Sequence, residues 1–201
     1  VTATSSTPTI CESETLNFQA TQGAGYTYIW SGPGSYSSTN GTNQISGATP
    51  SMSGTYNVTV SNSNGCTGTA NVQMDVNPKP TLSINATPNP ICSGQQTVLN
   101  ASSNGNIVWS NSLPSGSSHT VSPATTTTYS VTATSNLGCT STASVTVSVN
   151  PSPVISLNAS PNPICEGEST VLTVSGADSY TWGQGLPAGS SHTVSPTSST
   201  T

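Results

Sequence analysis

Positive charge is almost missing from this 201-residue chain: it has one lysine, Lys79, and no arginine, against six acidic residues. Nucleic-acid binding draws its affinity from Lys and Arg on phosphates, so that class of partner is excluded. The same lack removes a polybasic patch for anionic membranes. No apolar run approaches the eighteen residues of a membrane span, and no signal peptide is visible. Charged residues of both signs make up only 3% of the chain, and phenylalanine occurs once. An intramolecular Lys–Asn isopeptide bond needs a buried lysine in each domain. Lys79, set between Pro78 and Pro80, cannot supply that for the rest of the chain.

What is present is repetition. "PNPICSGQQTVLNAS" at 88–102 returns as "PNPICEGESTVLTVS" at 161–175. Cys92 and Cys165, Trp109 and Trp182, and His119 and His192 are each 73 residues apart. Laid over each other without a gap, 81–128 and 154–201 share 26 identities in 48 positions. A more distant copy, "TPTICESETLNFQA", comes first. Such a period must be read before anything else. It divides the chain into units 1–80, 81–153 and 154–201. By the offset, the third unit's leading tyrosine and second cysteine fall at 202 and 212. We therefore expect unit 3 to lack its last two strands, as in a window of a longer polymer. A minority expectation is a strand donated by another copy, because "VTATS" at Val1–Ser5 equals Val131–Ser135.

Ser, Thr, Asn and Gly dominate, yet apolar residues alternate in short runs between Gly, Pro and Asn turns, which reads as β-structure. The positions seven and nine after each first cysteine are apolar: Phe18 and Ala20, Leu99 and Ala101, Leu172 and Val174. Period two puts each pair on one strand face. A tryptophan strand follows ("YTYIW", "NIVW", "SYTW"), then "SSHTVSP" in the later copies, then a tyrosine-led strand. Trp30, Trp109, Trp182, Tyr56 and Tyr129 are the expected core. Six or seven short strands in each unit predict tandem small immunoglobulin-like β-sandwiches arranged as an extended rod.

Cysteines sit at the "TIC" and "PIC" positions and in the "NGC" and "LGC" turns. Placing both regions at one end of a sandwich predicts pairs Cys11–Cys66 and Cys92–Cys139, with the partner of Cys165 beyond the chain end. Loops of this length give roughly 4 kcal/mol per bridge in the chain-entropy model, and bridges imply an oxidising compartment outside the cytoplasm.

These residues resemble a known family. "PNPICEGESTVLT", the strand Trp, "GSSHTVSP", the Thr run before Tyr, "SNLGCTSTASVTVSV" and "VNPSP" together look like the immunoglobulin-like and PKD-like repeats of very large surface proteins of the Bacteroidota. Those proteins include gliding-motility adhesins and other type IX secretion substrates. The likeness covers the whole chain; the first copy is a longer-loop variant with eight extra residues between its cysteines. It implies a repeated spacer in an extracellular cell-surface fibre, whose partners are further repeats, neighbouring fibre subunits and surface glycans. Asp178-Ser179 is similar to part of that group's O-glycan acceptor sequence, with Tyr180 an imperfect third residue, so Ser179 is a candidate modification site. N-x-S/T triplets at Asn40, Asn57, Asn85, Asn100 and Asn158 would matter in a eukaryotic pathway.

Chemistry finds little purchase. His119 and His192 have no acid within ten residues and are expected to face solvent rather than join a triad. Glu12/Glu14 and Glu166/Glu168 form E-x-E pairs after Cys11 and Cys165, but Ser93 and Gln95 replace them in the middle copy. A Ca²⁺ site wants more converging oxygens than two acids. No enzyme, cofactor or metal is expected. The alternative class is a carbohydrate- or protein-binding accessory module of a secreted enzyme. It needs exposed aromatics, for which Tyr36, Tyr26 and Tyr180 are the candidates.

Overall fold

Alternating apolar and small polar residues divide the chain into short strands, and the strands into three sets. The structure is a computed structural model that describes residues 1–200; Thr201 lies outside the described residues. The broad contacts between described elements all fall within one set.

The first set runs β1 (Ala3–Thr4), β2 (Thr9–Cys11), β3 (Leu16–Ala20), β4 (Thr27–Gly32), β5 (Tyr36–Ser38), β6 (Thr42–Ile45), β7 (Gly54–Ser61) and β8 (Thr67–Asn77). They form two sheets, β1-β3-β6 and β2-β8-β7-β4-β5, that face each other. All pairs are antiparallel except β2 on β8, where Cys11 lies opposite Asn77. Leu16, Phe18 and Ala20 project from one sheet; Trp30, Tyr56, Val58, Val60, Met74 and Val76 meet them from the other. Trp30 is 1% exposed and takes the Phe18 ring edge-on, at 5.0 Å between centroids. Its indole nitrogen donates to Asn40 O at 2.9 Å, so the buried ring leaves no polar atom unpaired.

The second set is β9 (Leu82–Thr87), β10 (Ile91–Cys92), β11 (Thr97–Ser103), β12 (Asn106–Trp109), β13 (Ser118–Val121), β14 (Thr127–Thr134), β15 (Thr140–Val147) and β16 (Val149–Asn150). Sheet β13-β11-β9 faces sheet β12-β14-β15 across Leu99, Ala101, Trp109, Tyr129, Val131 and Val147. The short β10 runs parallel to β16, with Cys92 opposite Asn150. The cysteine edge thus has the same construction in both sets.

The third set has one sheet, β17 (Ser156–Ser160), β18 (Thr170–Ser175) and β19 (Ser191–Val194), in the order β17-β18-β19. Trp182 lies outside any strand and is half-buried, as are Leu172 and Val174. This corrects the expected tryptophan strand at 179–182. The face that β12-β14-β15 covers in the second set is here an open cleft of about 980 Å³, lined by Leu172, Trp182 and Val194 among others. Without a facing sheet, Trp182 has too few apolar neighbours to be sealed from water.

The disulfide pairing is also corrected. Cys11 is bonded to Cys139, with 5.5 Å between their Cα atoms; Cys66, Cys92 and Cys165 are free and exposed. Neither Cys11–Cys66 nor Cys92–Cys139 forms, and the reason is strand direction. Cys66 immediately precedes β8, whereas Cys11 lies opposite the last residue of β8. Eleven residues of strand, about 35 Å, therefore separate them, when a bridge tolerates roughly 7 Å between Cα atoms. Cys139 and Cys92 stand in the same relation along β15 and β16. The two cysteines of a unit occupy opposite poles.

Candidate functional site

The constellation that joins distant parts of the chain is the junction between the first two sets. On one side is the end of β2, held by β8: Glu12 N donates to Asn77 O at 2.8 Å. The turn that follows is tied back on itself. Glu14 N donates to Cys11 O at 3.1 Å, and the Glu14 carboxylate accepts from Cys11 N at 2.9 Å. Its neighbour Glu12 accepts from Lys79 N of the linker at 3.4 Å. Glu14 of the E-x-E pair is thus a turn cap, and Glu12 a linker contact.

On the other side is the turn of the β14–β15 hairpin. Ser135 N donates to Cys139 O at 2.8 Å, and Cys139 N donates to Ser135 Oγ at 3.1 Å. Gly138 has a φ of 83°, which an L side chain resists, so the turn needs glycine just before its cysteine. Cys139 is fully buried although it caps a hairpin, because the first unit's edge lies over it. The linker is fastened as well: Ser141 Oγ donates to Pro80 O at 2.7 Å, and Thr81 N donates to Asn104 Oδ1 at 2.9 Å. A Cβ at Gly105 would stand 2.7 Å from Thr134 O and 3.0 Å from Pro80 Cβ, so only glycine permits this approach.

Among the described residues there is no group of three or more His, Cys, Asp or Glu able to hold a metal. No described helix is long and apolar enough to cross a membrane. His119 and His192 are half-buried, which corrects the expected solvent-facing position. Each ring stands edge-on to its tryptophan, Trp109 or Trp182, at 5.1 Å between centroids, with Nε2 buried and unpartnered. They are wedges beside the tryptophan. Tyr36 is no exposed platform either: it packs against Phe18 and Tyr56, at 5.7 and 5.4 Å between centroids, and donates to Asn43 Oδ1 at 2.9 Å. Burial pushes the Tyr36 phenol above its usual range; burial, then its neighbour Tyr36, do the same to Tyr56. Tyr26 remains exposed, Tyr180 is half-buried and accepts from Ala177 N, and Ser179 is exposed.

Fold and junction define an all-β protein of immunoglobulin-like sandwiches, fastened to each other by a disulfide. No protein-family model matches the chain, and no curated protein sequence matches it. Among solved structures it is similar to murine CEACAM1b, at 18% identity over 74% of this chain and 99% of that one, with a TM-score of 0.38. The three N-terminal domains of the bacteriophage RB49 outer capsid protein Hoc align at 19% identity over 93% of this chain and 71% of theirs, TM-score 0.38. The N-terminal four Ig domains of Dscam1 isoform 6.9 align at 14% over 71% and 43%, TM-score 0.33. Superpositions this loose carry no functional inference; the fold stands on the facing sheets themselves.

Proposed function

We propose that the chain is a structural segment of an extracellular surface fibre or adhesin stalk that spaces a functional tip from the cell. It is divided into units 1–80, 81–153 and 154–201, and its relatives by repeat pattern are the giant Bacteroidota surface proteins. The observation that carries this reading is the Cys11–Cys139 bond, which spends the bridge on the junction instead of on either core. Each complete unit already encloses a sealed apolar core. A bridge between units fixes their relative orientation, which is what a stiff spacer needs and a ligand pocket does not. The Pro-flanked linkers "VNPKPT" and "VNPSPV" act in the same direction, since such segments are stiff and extended. Partners on this reading are further repeats, neighbouring subunits and surface glycans, with Ser179 a site for O-linked sugar. The accessory-module reading has lost Tyr36 as an aromatic contact. Small-angle scattering tests the proposal: an elongated particle that becomes more flexible on reduction supports it, and a compact cluster of three units contradicts it.

A further inference from the structure

We propose that Asn40 is a self-modifying residue: the backbone nitrogen of Gly41 closes on the Asn40 side chain, releases ammonia and leaves aspartate and isoaspartate at that position.

The sequence supplies three candidates, since Asn-Gly occurs at 40–41, 64–65 and 104–105. A glycine after asparagine leaves the attacking nitrogen without a neighbouring Cβ and its backbone free to turn, so these pairs cyclise most readily. All three asparagines are exposed, and exposure therefore does not choose between them. Hydrogen bonding does. The Gly65 N–H donates to Asn62 O at 3.0 Å in the turn of the β7–β8 hairpin, and the Asn62 side chain accepts from Asn64 N at 3.0 Å. The Gly105 N–H donates to Ser103 Oγ at 3.0 Å. The side chain that would have to swing there, Asn104, is held by Thr81 N at 2.9 Å. Both nitrogens are engaged, and at 104 the electrophile is engaged as well.

Gly41 differs. Its N–H donates to no other group among the described residues; its neighbour across the sheet, Ala20, gives an N–H to Gly41 O at 2.9 Å and turns its carbonyl to the Gln22 amide at 2.8 Å. The Asn40 side chain is also without a partner among the described residues; only its backbone is tied. Asn40 N donates to Ser38 Oγ at 3.1 Å. Asn40 O, the carbonyl of the peptide group that contains Gly41 N, accepts from the Trp30 indole nitrogen at 2.9 Å and from Asn43 Nδ2 at 3.1 Å. Both donors are fixed: Trp30 is 1% and Asn43 4% exposed, and the Tyr36 hydroxyl holds the Asn43 side chain at 2.9 Å. When Gly41 N loses its proton, the negative charge spreads onto Asn40 O, where two donors already point. Donors aimed in advance at a developing oxyanion lower the cost of forming it. The fold thus leaves the proton free and supports the charge that its loss creates.

Gly41 N gives its proton to solvent hydroxide, and its electron pair forms a bond to Asn40 Cγ. The carboxamide nitrogen takes up a proton and leaves as ammonia, which closes a five-membered imide. Water then adds to one imide carbonyl and breaks that carbon's bond to Gly41 N. Opening at one carbonyl gives aspartate; opening at the other gives isoaspartate, whose free carboxylate is the former Asn40 carbonyl, beside Trp30 and Asn43. The net exchange is one water for one ammonia, so the change needs no enzyme and accumulates with age.

The inference does not rest on the spacer reading, and its failure would leave that reading untouched. The purified full chain is aged in mildly alkaline buffer, folded and, in parallel, unfolded in guanidinium. Peptic peptides are then scored for the amide-to-acid mass gain and for labelling by an isoaspartate methyltransferase. In the folded chain the Asn40 peptide is expected to convert several-fold faster than those of Asn64 and Asn104, and no slower than in the unfolded chain. Asn40→Gln, at a side chain that contacts no partner, should abolish the early label. Folding that protects Asn40 as strongly as the other two would overturn the inference. So would first conversion at Asn64 or Asn104, or an early label that survives Asn40→Gln.

Discussion

At the scale of the residue, identical side chains differ in worth according to what faces them. Trp30 is sealed between two sheets and packed on Phe18, whereas Trp182 makes the same kind of indole hydrogen bond, to Gly189 O at 2.7 Å, on a one-sheet unit. Trp30→Ala removes a fully buried aromatic and leaves a cavity, for an expected loss of about 3–5 kcal/mol in the first unit. Trp182→Ala should cost well under half of that. Urea unfolding of the two variants checks the order. The tyrosines give a second prediction. Raised values for Tyr36 and Tyr56 mean that the unfolded chain releases these protons before the folded one does. Their contribution is therefore fully present below about pH 10 and is lost as pH climbs from there through the raised folded values. Alkaline unfolding should begin in the first unit, and Tyr36→Phe should flatten that unit's pH dependence above pH 10. Unchanged alkaline behaviour in this variant would refute the assignment.

Elements were far easier to read in the sequence than their partners. Period-two alternation located Phe18, Leu99, Tyr56 and Tyr129 in strands with their side chains inward, because that rule needs only local spacing. It did not locate β2 against β8 or β10 against β16, since a parallel pair closes over a long loop that leaves no local mark. The cysteine pairing is invisible to local spacing for that reason. One signal was available: Cys66 and the Asn-Pro that ends β8 bound a single long run, so the turn and the run's end had to lie far apart. The histidines carried a signal too. His119 sits opposite Leu99 and His192 opposite Leu172, and cross-strand partners share a face. Glu14 gave none, as a capping carboxylate and a solvated one look alike in sequence. At the linker, Gly105→Ala forces a methyl against Thr134 O, a backbone atom with little freedom to retreat. An expected cost of about 1–3 kcal/mol should appear as faster cleavage of the 78–81 linker by an unspecific protease, with the strands on either side still protected.

For the molecule as a whole, each of the first two units is a connector with two poles. The bridge closes a loop across 128 residues that contains parts of two cores. In the chain-entropy model a loop that long is worth about 5 kcal/mol against the unfolded chain, yet its structural effect falls on one junction. Cys139→Ser should leave both cores folded, loosen the first two units relative to each other and widen the distribution of maximum dimensions in solution scattering. Unfolding of the second unit on this substitution would instead mean that the bridge supports a core. The central claim, that cysteines bond between units and not within them, is tested most directly by disulfide mapping of the unreduced monomer after blocking free thiols. The expected peptides join Cys11 to Cys139, with Cys66, Cys92 and Cys165 carrying the blocking group. Peptides joining Cys11 to Cys66, or Cys92 to Cys139, would contradict it.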